Sequence, residues 1–149
     1  MCSIIGYRGK NSAAPILVNG LQRMEYRGYD SVGIATKSKN QILLRKGVGK
    51  VVEVNNALQL DGLAGNIGIG HTRWATHGKV TEDNAHPHKS NSGKIAIVHN
   101  GIIENYEELK ANLQKKGFDF HSETDTEVIA NLIQLNFDEI PDVKQAIIK

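Results

Sequence analysis

The residue with the clearest chemical potential is Cys2, the only cysteine of the chain, which directly follows Met1. If Met1 is removed, Cys2 carries both a thiol and a free α-amine, and an adjacent amine can serve as the base for a nucleophilic thiol. One residue would then supply both groups that nucleophilic catalysis needs. The alternative is an inert buried side chain, because free cysteine is among the residues most often buried.

Three further positions carry groups that could bind or polarise a small polar molecule. Arg73 lies in a segment rich in Thr and Gly, and a guanidinium there can hold a carboxylate through two parallel hydrogen bonds. The Asn100 side-chain amide and the Gly101 N–H are neutral donors of the kind that stabilise an oxyanion, and Asp125 can receive an amine. Taken singly, simpler explanations stay open: Asn-Gly is a common turn, and Asp125 suits the start of a helix.

A mixed framework of strands and helices is needed to bring these residues together. Apolar residues bounded by turn residues predict strands over 3–7, 32–36, 41–46, 67–71 and 95–99. Apolar residues at helical spacing predict helices over 13–26, 51–60, 104–116 and 124–135. The segment 72–92 is a polar loop, too long for an idle connection.

Two details concern the ends of the predicted helices. Thr124 and Glu127 have the spacing of a capping box at the start of the helix over 124–135. A further amphipathic pattern begins at Val143 and is cut off at Lys149 without a cap, which predicts that the chain is a fragment of a longer protein.

Length and composition narrow the class of protein. The chain has 149 residues, 40% hydrophobic and 23% charged, which is typical of one folded domain. Its 18 basic and 16 acidic residues are mixed in sign, which argues against nucleic acid as a partner. No apolar stretch has the length of a membrane span, and a single cysteine fits a reducing compartment. We therefore expect a cytoplasmic protein that binds no membrane.

Five motifs in series carry a resemblance to a known family, and they extend over essentially the whole chain. They are EYRGYDS at 25–31, HTRWATHG at 71–78, NAHPH at 84–88, VHNGIIEN at 98–105 and SETDTEVI at 122–129. In order and spacing the chain resembles the glutamine amidotransferase domain at the N-terminus of the glucosamine-6-phosphate synthases, the isomerising glutamine:fructose-6-phosphate aminotransferases. The resemblance implies an enzyme that releases ammonia from glutamine.

The resemblance also implies roles for the residues of the glutamine site. Cys2 would attack the glutamine side-chain amide with its own α-amine as base, and Asn100 and Gly101 would form the oxyanion hole. The remaining roles are a guanidinium near the nucleophile (Arg27), a partner for the glutamine α-carboxylate (Arg73), a partner for its α-ammonium (Asp125), a gate for ammonia (Trp74) and pocket walls (Thr76 and His77). No metal or cofactor is implied.

The fold that the resemblance implies is α+β, an Ntn-hydrolase four-layer αββα sandwich in which two antiparallel sheets lie between helices. Residues 1–149 would form the N-terminal part of this domain, with part of one sheet missing. Ammonia would pass through a channel to sugar-isomerase domains that bind fructose 6-phosphate and are absent here. The full-length protein is expected to be a homodimer.

One residue departs from the family pattern, because Ser3 stands where the family usually has glycine after the nucleophile. A side chain there removes the conformational freedom of glycine and adds a hydroxyl, which predicts backbone strain or an altered geometry of the base.

Three alternatives to the main interpretation remain. His71, His77, His86 and His88 could form a metal-binding module, although their spacing matches no structural zinc motif. A non-catalytic regulatory or assembly domain would retain Met1 and bind no glutamine. Within the same enzyme class, an amidotransferase of the amidophosphoribosyltransferase or asparagine synthetase type would serve another acceptor.

A local ion pair is the simpler explanation for one of the motifs. Arg27 and Asp30 are three residues apart and of opposite charge, so they could pair with each other and have no part in a site.

Overall fold

The computed structural model describes residues 1–75 and 79–148. The strands are β1 (Ser3–Arg8), β2 (Ser31–Ser38), β3 (Gln41–Val48), β4 (Ile67–Arg73), β5 (His88–Lys89) and β6 (Ala96–Ile97). The helices are α1 (Ala13–Met24), α2 (Val51–Leu58), α3 (Tyr106–Lys115), α4 (Thr126–Glu139) and α5 (Val143–Ile148). No helix in the described ranges is both long enough and apolar enough to cross a membrane.

The main sheet has four strands in the order β1-β4-β2-β3, and every neighbouring pair is antiparallel. Strand β4 lies between β1 and β2, so His71 stands opposite Ile4 on one side and Gly33 on the other. Because side chains alternate between the two faces of a strand, the sheet separates a helix-covered face from a second face that carries the His71 and Arg73 side chains of β4.

Helices α1 and α2 cover the first face of the main sheet. Their apolar positions recur at three and four residues, which gives each helix one apolar side. The resulting core is formed by Ala13, Ala14, Leu17, Val18, Leu21, Val32, Ile34, Val51, Val54, Leu60 and Leu63. This core fixes the position of β4, whose far end carries Arg73 and leads into the loop that begins at Trp74.

The second face of the sheet is covered by the segment before β5, by the small antiparallel sheet of β5 and β6, and by α4, which packs against both of those strands. Gly33 permits this close approach, since a Cβ at that position would lie 2.3 Å from the His86 carbonyl oxygen. Lys46 reinforces it, because its Nζ donates to the carbonyl oxygens of Asp83 at 2.9 Å and Ala85 at 2.7 Å. The layers therefore run helix, sheet, sheet, helix, and the predicted α+β class is confirmed.

The predicted elements are present, with differences at their ends. The largest is the strand predicted over 95–99, of which only Ala96–Ile97 pairs, because its partner β5 is two residues long. The predicted loop over 72–92 starts later, since β4 extends to Arg73, and it contains β5.

The predicted capping box at α4 is wrong. The N-cap is Asp125 rather than Thr124, and the Glu127 carboxylate turns back to accept hydrogen bonds from the N–H groups of His121 and Ser122 and from the Ser122 hydroxyl. A buried carboxylate that binds three donors outweighs the local cap that the spacing alone indicates.

The strain predicted at Ser3 is absent. Among the described residues other than glycine, positive φ angles occur at Lys39 and Gln59 and not at Ser3. Ser3 pairs with Thr72 on β4, and both side chains are buried on the α1 side of the sheet with hydroxyl oxygens that have no hydrogen-bond partner. The Ser3 hydroxyl therefore loses its hydration without gaining a hydrogen bond, but it does not strain the backbone.

Replacing Thr72 with valine is expected to raise the free energy of unfolding by about 1 kcal/mol, because the change removes a buried hydroxyl that lacks a partner and keeps the shape of the side chain. Chemical denaturation measures the effect. Thr36→Val is the matched control, since the Thr36 hydroxyl is equally buried but donates to the Ala64 carbonyl oxygen at 2.8 Å. That variant should lose about 1 kcal/mol, and equal effects in the two variants would contradict the assignment.

Candidate functional site

A cavity of about 640 Å³ opens on the second face of the main sheet, between the ends of β1 and β4 and the segments that follow β6 and precede α4. Seven of the nine predicted site residues line it: Cys2, Arg27, Arg73, Trp74, Asn100, Gly101 and Asp125. The other two, Thr76 and His77, lie outside the described residues. Since His86 of the NAHPH motif also lines the cavity, residues from all five motifs meet Cys2 there.

Cys2 precedes β1 and is held by the backbone at the end of β4. The antiparallel register that pairs Ser3 with Thr72 brings Cys2 next to Trp74. The Trp74 N–H donates to the Cys2 sulfur at 3.2 Å, and the thiol lies 3.7 Å from the Trp74 carbonyl oxygen. The Trp74 backbone thus positions the thiol, while its side chain is 52% exposed at the cavity.

The N-terminal residue lies against the turn that follows α1. The Met1 ammonium group donates to the Arg27 carbonyl oxygen at 2.6 Å, and the Arg27 guanidinium is 3.6 Å from the Met1 sulfur. Met1 also lines the cavity. While Met1 is present, the Cys2 nitrogen is an amide, which is not a base.

The Arg27–Asp30 ion pair that the sequence left open is not formed. The Asp30 carboxylate instead accepts hydrogen bonds from the Ala75 N–H and the Ser31 hydroxyl, and the Asp30 N–H donates to the Arg73 carbonyl oxygen at 2.8 Å. Asp30 therefore fixes the backbone on both sides of Trp74, a structural role that sequence reasoning missed.

Arg73 is the last residue of β4 and is only 6% exposed. Its Nη1 donates to the Lys79 carbonyl oxygen at 3.1 Å, which ties the guanidinium to the far side of the loop. A buried guanidinium at a cavity wall is suited to bind a carboxylate because its planar fork presents donors in a fixed geometry.

Asn100 and Gly101 follow β6 and also line the cavity. The Asn100 side-chain oxygen lies 2.7 Å from His71 Nε2. At Gly101 a Cβ would lie 2.7 Å from His99 Nε2, so only glycine lets this backbone pass the imidazole ring. The Asn-Gly pair thus lines the cavity and lies against the His99 ring, so it is more than a turn.

Asp125 stands before α4, and both of its carboxylate oxygens are engaged. One accepts the Ile103 N–H at 2.8 Å, and the other lies 3.3 Å from the Thr126 hydroxyl, which can donate to it. Each carboxylate oxygen retains acceptor capacity, so the group can still receive an ammonium ion.

Three histidines beneath the cavity pack ring against ring. His71 stacks on His86 with ring centroids 4.3 Å apart, and His88 meets the edge of His86 at 4.6 Å. Burial lowers the pKa of His71 to about 4 and that of His88 to about 3, and it lowers the pKa of His86 further still. All three rings are therefore neutral at pH 7.

The alternative of a metal-binding module finds no support in the described part of the chain. There, no three side chains of the His, Cys, Asp and Glu types are arranged to hold a metal ion. Stacked histidine rings present faces to one another instead of converging lone pairs. The fourth histidine of that alternative, His77, lies outside the described residues.

Other residues line the cavity without having been singled out as site residues. His99 packs between Gly101 and the Thr126 hydroxyl, with its Nδ1 3.3 Å from the hydroxyl oxygen. Glu123 accepts a hydrogen bond from the Asn84 side chain, which holds the pKa of its carboxyl group below the usual range. Both residues belong to the motifs that carry the family resemblance. The motifs could therefore have identified them as site residues, although no role was assigned to them.

Comparison with known proteins agrees with this geometry. Residues 61–140 match the family described as glutamine amidotransferase domain. The chain is 58% identical over 136 residues to the glutamine–fructose-6-phosphate aminotransferase (isomerizing) of Pyrococcus horikoshii, and 57% identical over 145 residues to that of Methanococcus maripaludis. These alignments cover 91% and 97% of the chain but only 23% and 24% of the relatives. The chain therefore spans about a quarter of the length of the curated relatives it matches.

Solved structures show the same fold. The glutamine phosphoribosylpyrophosphate amidotransferase from B. subtilis, complexed with ADP and GMP, superimposes with a TM-score of 0.80 at 31% identity, covering 99% of this chain and 31% of that one. A structure described as the allosteric regulatory enzyme of purine biosynthesis gives 0.82 at 32% identity, covering 99% and 32%. The predicted Ntn-hydrolase sandwich is confirmed. Because the family match spans more than half of its residues, the chain belongs to the glutamine amidotransferase domain family.

Proposed function

We propose that residues 1–149 are the N-terminal part of a glutaminase domain, which hydrolyses the side-chain amide of glutamine and passes the ammonia to an acceptor. The observation that carries the proposal is the meeting of a cysteine at position 2 with a cation, an anion and two neutral donors at one cavity. Free glutamine is a zwitterion with one uncharged amide. Its three polar groups match these three kinds of partner.

The reaction proceeds through a thioester. The Cys2 thiolate attacks the amide carbon of glutamine after its own α-amine has taken the thiol proton, and that proton then leaves with the nitrogen as ammonia. The negative charge that develops on the amide oxygen is stabilised by the Asn100 side-chain amide and the Gly101 N–H. Water attacks the resulting γ-glutamyl thioester, with the same amine as base, and glutamate is released.

The two charged anchors for the amino acid end of glutamine line the same cavity. The Arg73 guanidinium binds the α-carboxylate, and Asp125 binds the α-ammonium group. Support comes from the burial of Arg73 and from the hydrogen bonds of both residues, which hold the two groups before substrate arrives. The half-exposed Trp74 ring closes the pocket and gates the passage of ammonia.

Activity requires the removal of Met1, because the Cys2 nitrogen is otherwise an amide. Removal also vacates the part of the cavity that Met1 lines and frees the Arg27 carbonyl oxygen, which now accepts the Met1 ammonium group. Arg27 is then placed beside the new N-terminus.

The acceptor of the ammonia is fructose 6-phosphate, bound by isomerase domains outside this chain. Support comes from sequence: relatives named fructose-6-phosphate aminotransferases are 53% to 58% identical, whereas the phosphoribosylpyrophosphate amidotransferase is 31% identical. We further propose, from the family resemblance, that the whole protein is a cytoplasmic homodimer.

Intact-protein mass spectrometry before and after treatment with 6-diazo-5-oxo-norleucine tests the glutaminase proposal. This glutamine analogue alkylates nucleophiles that glutamine can reach. Loss of Met1 together with one adduct mapped to Cys2 is the expected result. A processed protein that gains no adduct, and does not hydrolyse glutamine, would overturn the proposal.

The acceptor is tested separately with the full-length protein, glutamine and fructose 6-phosphate. Glucosamine 6-phosphate is the expected product. Glutamine hydrolysis without that product, but with amination of phosphoribosylpyrophosphate, would reassign the acceptor and leave the glutaminase site in place.

Gly101→Ala is expected to lower kcat for glutamine hydrolysis about 100-fold, because the added Cβ collides with the His99 ring and displaces the oxyanion donor. Steady-state kinetics measure the effect. Gly6→Ala is the matched control, since no atom lies within 4 Å of a Cβ placed there. Equal activity in the two variants would show that the Gly101 backbone does not contribute.

A further inference from the structure

One hydrogen bond fixes which end of the Asn100 side chain faces the cavity. The Asn100 side-chain oxygen lies 2.7 Å from His71 Nε2, below the cavity wall. An amide group carries its acceptor and its donors on opposite sides. When the oxygen is anchored on His71, the NH₂ group is the part of the amide left to donate to another acceptor, and Asn100 lines the same cavity as Cys2.

His71 is itself held rigidly. It lies in the central strand β4, is 1% exposed, and stacks on His86 at an interplanar angle of 17°. The third ring, His88, braces His86 and is hydrogen-bonded through its Nε2 to the Thr124 hydroxyl at 3.0 Å. Because the His71 ring is packed in this way, it cannot rotate. Only a change of its tautomer could therefore change the orientation of the Asn100 amide.

The tautomer of His71 decides the chemical character of Asn100. With the proton on Nε2, the ring donates to the Asn100 oxygen, and only the Nδ1 lone pair lacks a partner. With the proton on Nδ1, a buried N–H would be orphaned, and Asn100 would turn its oxygen toward the cavity and repel an oxyanion. Orphaned buried N–H groups are rarer than unpaired acceptors, which favours the first arrangement.

The surroundings keep the ring uncharged. Burial is the main cause of the lowered pKa of His71, and the nearby Arg73 guanidinium acts in the same direction. The Asp30 carboxylate, the Asn100 side chain and the His99 backbone act in the opposite direction but are outweighed. A neutral ring has one N–H, so a choice of tautomer exists.

We propose that His71 is a positioning residue for glutamine hydrolysis, which in its Nε2–H tautomer orients Asn100 so that the amide NH₂ group donates to the oxyanion formed above Cys2. The proposal rests on the proposed glutaminase function. His71 touches neither the substrate nor the nucleophile in this role and acts through Asn100 alone.

Kinetics of four variants of the full chain test the proposal: His71→Leu, His71→Gln, Asn100→Ala and the double variant His71→Leu/Asn100→Ala. We expect His71→Leu to lower kcat about 10- to 100-fold with KM changed less than about threefold, since an oxyanion donor acts mainly in the transition state. His71→Gln should recover most of kcat, because its amide nitrogen can occupy the place of Nε2. In the Asn100→Ala background, His71→Leu should cause no further loss.

His88→Gln is the matched control for burial, because His88 belongs to the same stack but has no contact with Asn100. His88→Gln should change kcat by the same factor in the unaltered chain and in the Asn100→Ala background. If the losses of kcat caused by His71→Leu and Asn100→Ala multiply in the double variant, His71 is only a packing residue and the proposal is overturned.

A measurement on the unaltered chain covers the case in which a His71 variant does not fold. Long-range ¹H–¹⁵N correlation spectra distinguish the two neutral tautomers of histidine from the cation. The Nε2–H tautomer of His71 at pH 7 is the expected result, and an Nδ1–H tautomer or a charged ring would overturn the proposal. Absence of glutamine hydrolysis by the unaltered processed chain would instead overturn the proposed function, and this inference with it.

Discussion

Cys2→Ser is expected to lower kcat for glutamine hydrolysis by at least about 1000-fold, since the loss of a catalytic nucleophile removes a contribution that no other group replaces. The hydroxyl is far less nucleophilic than the thiolate, although serine still permits removal of Met1 and retains the α-amine. Hydrolysis is measured as glutamate released, and covalent labelling by 6-diazo-5-oxo-norleucine should disappear in parallel.

Ser3→Ala provides the control for this change. Ser3 is adjacent in sequence, but its side chain is buried on the opposite face of the sheet from the cavity, so its replacement should leave kcat within about twofold. If Cys2→Ser retained activity close to that of the unaltered chain, another group would have to be the nucleophile.

The site could be predicted from sequence to the extent that it consists of motif residues. Cys2, Arg73, Asn100 and Asp125 are far apart along the chain, and no periodicity indicates that they meet. They meet because β1 and β4 pair in register and because the segments after β6 and before α4 fold over the same sheet face. The family resemblance supplied this long-range information, and the strand patterns alone did not.

The contacts that support the site could not be predicted in the same way. Spacing made the histidines candidate metal ligands, yet His71 and His86 stack because Gly33 admits the His86 backbone against the sheet. Likewise, Asp30 was paired with Arg27 by proximity in sequence, but the fold offers it the Ala75 N–H and the Ser31 hydroxyl instead. Each of these outcomes depends on tertiary packing, which local pattern does not encode.

The length of the second sheet was overestimated for a related reason. Apolar residues over 95–99 fit a buried strand, but a strand extends only as far as its partner does. His88 and Lys89 provide two paired positions, and the backbone beyond Ile97 turns toward the cavity to present Asn100 and Gly101. The shortened strand is therefore part of what places the oxyanion donors.

Lowering the pH from 7 to 5 is expected to reduce the free energy of unfolding by about 3 to 6 kcal/mol through the three stacked histidines. Their pKa values are lowered in the folded chain, to about 4 for His71 and about 3 for His88, and further for His86. In the unfolded chain the pKa of each histidine is about 6.5. Between these values the unfolded chain binds more protons than the folded chain, so stability is complete above about pH 6.5 and is lost as the pH falls toward the folded values.

The positive charges of Lys46 and Arg73 make the free energy of unfolding depend more strongly on pH, because both disfavour a positive charge on His86 and His88. Urea denaturation at several pH values between 5 and 7 measures the slope. In His88→Gln one of the three titrating rings is gone, so the slope should fall by about one third. A stability that does not change between pH 7 and 5 would mean that the three rings take up protons as readily in the folded chain as in the unfolded chain, which contradicts their lowered pKa values.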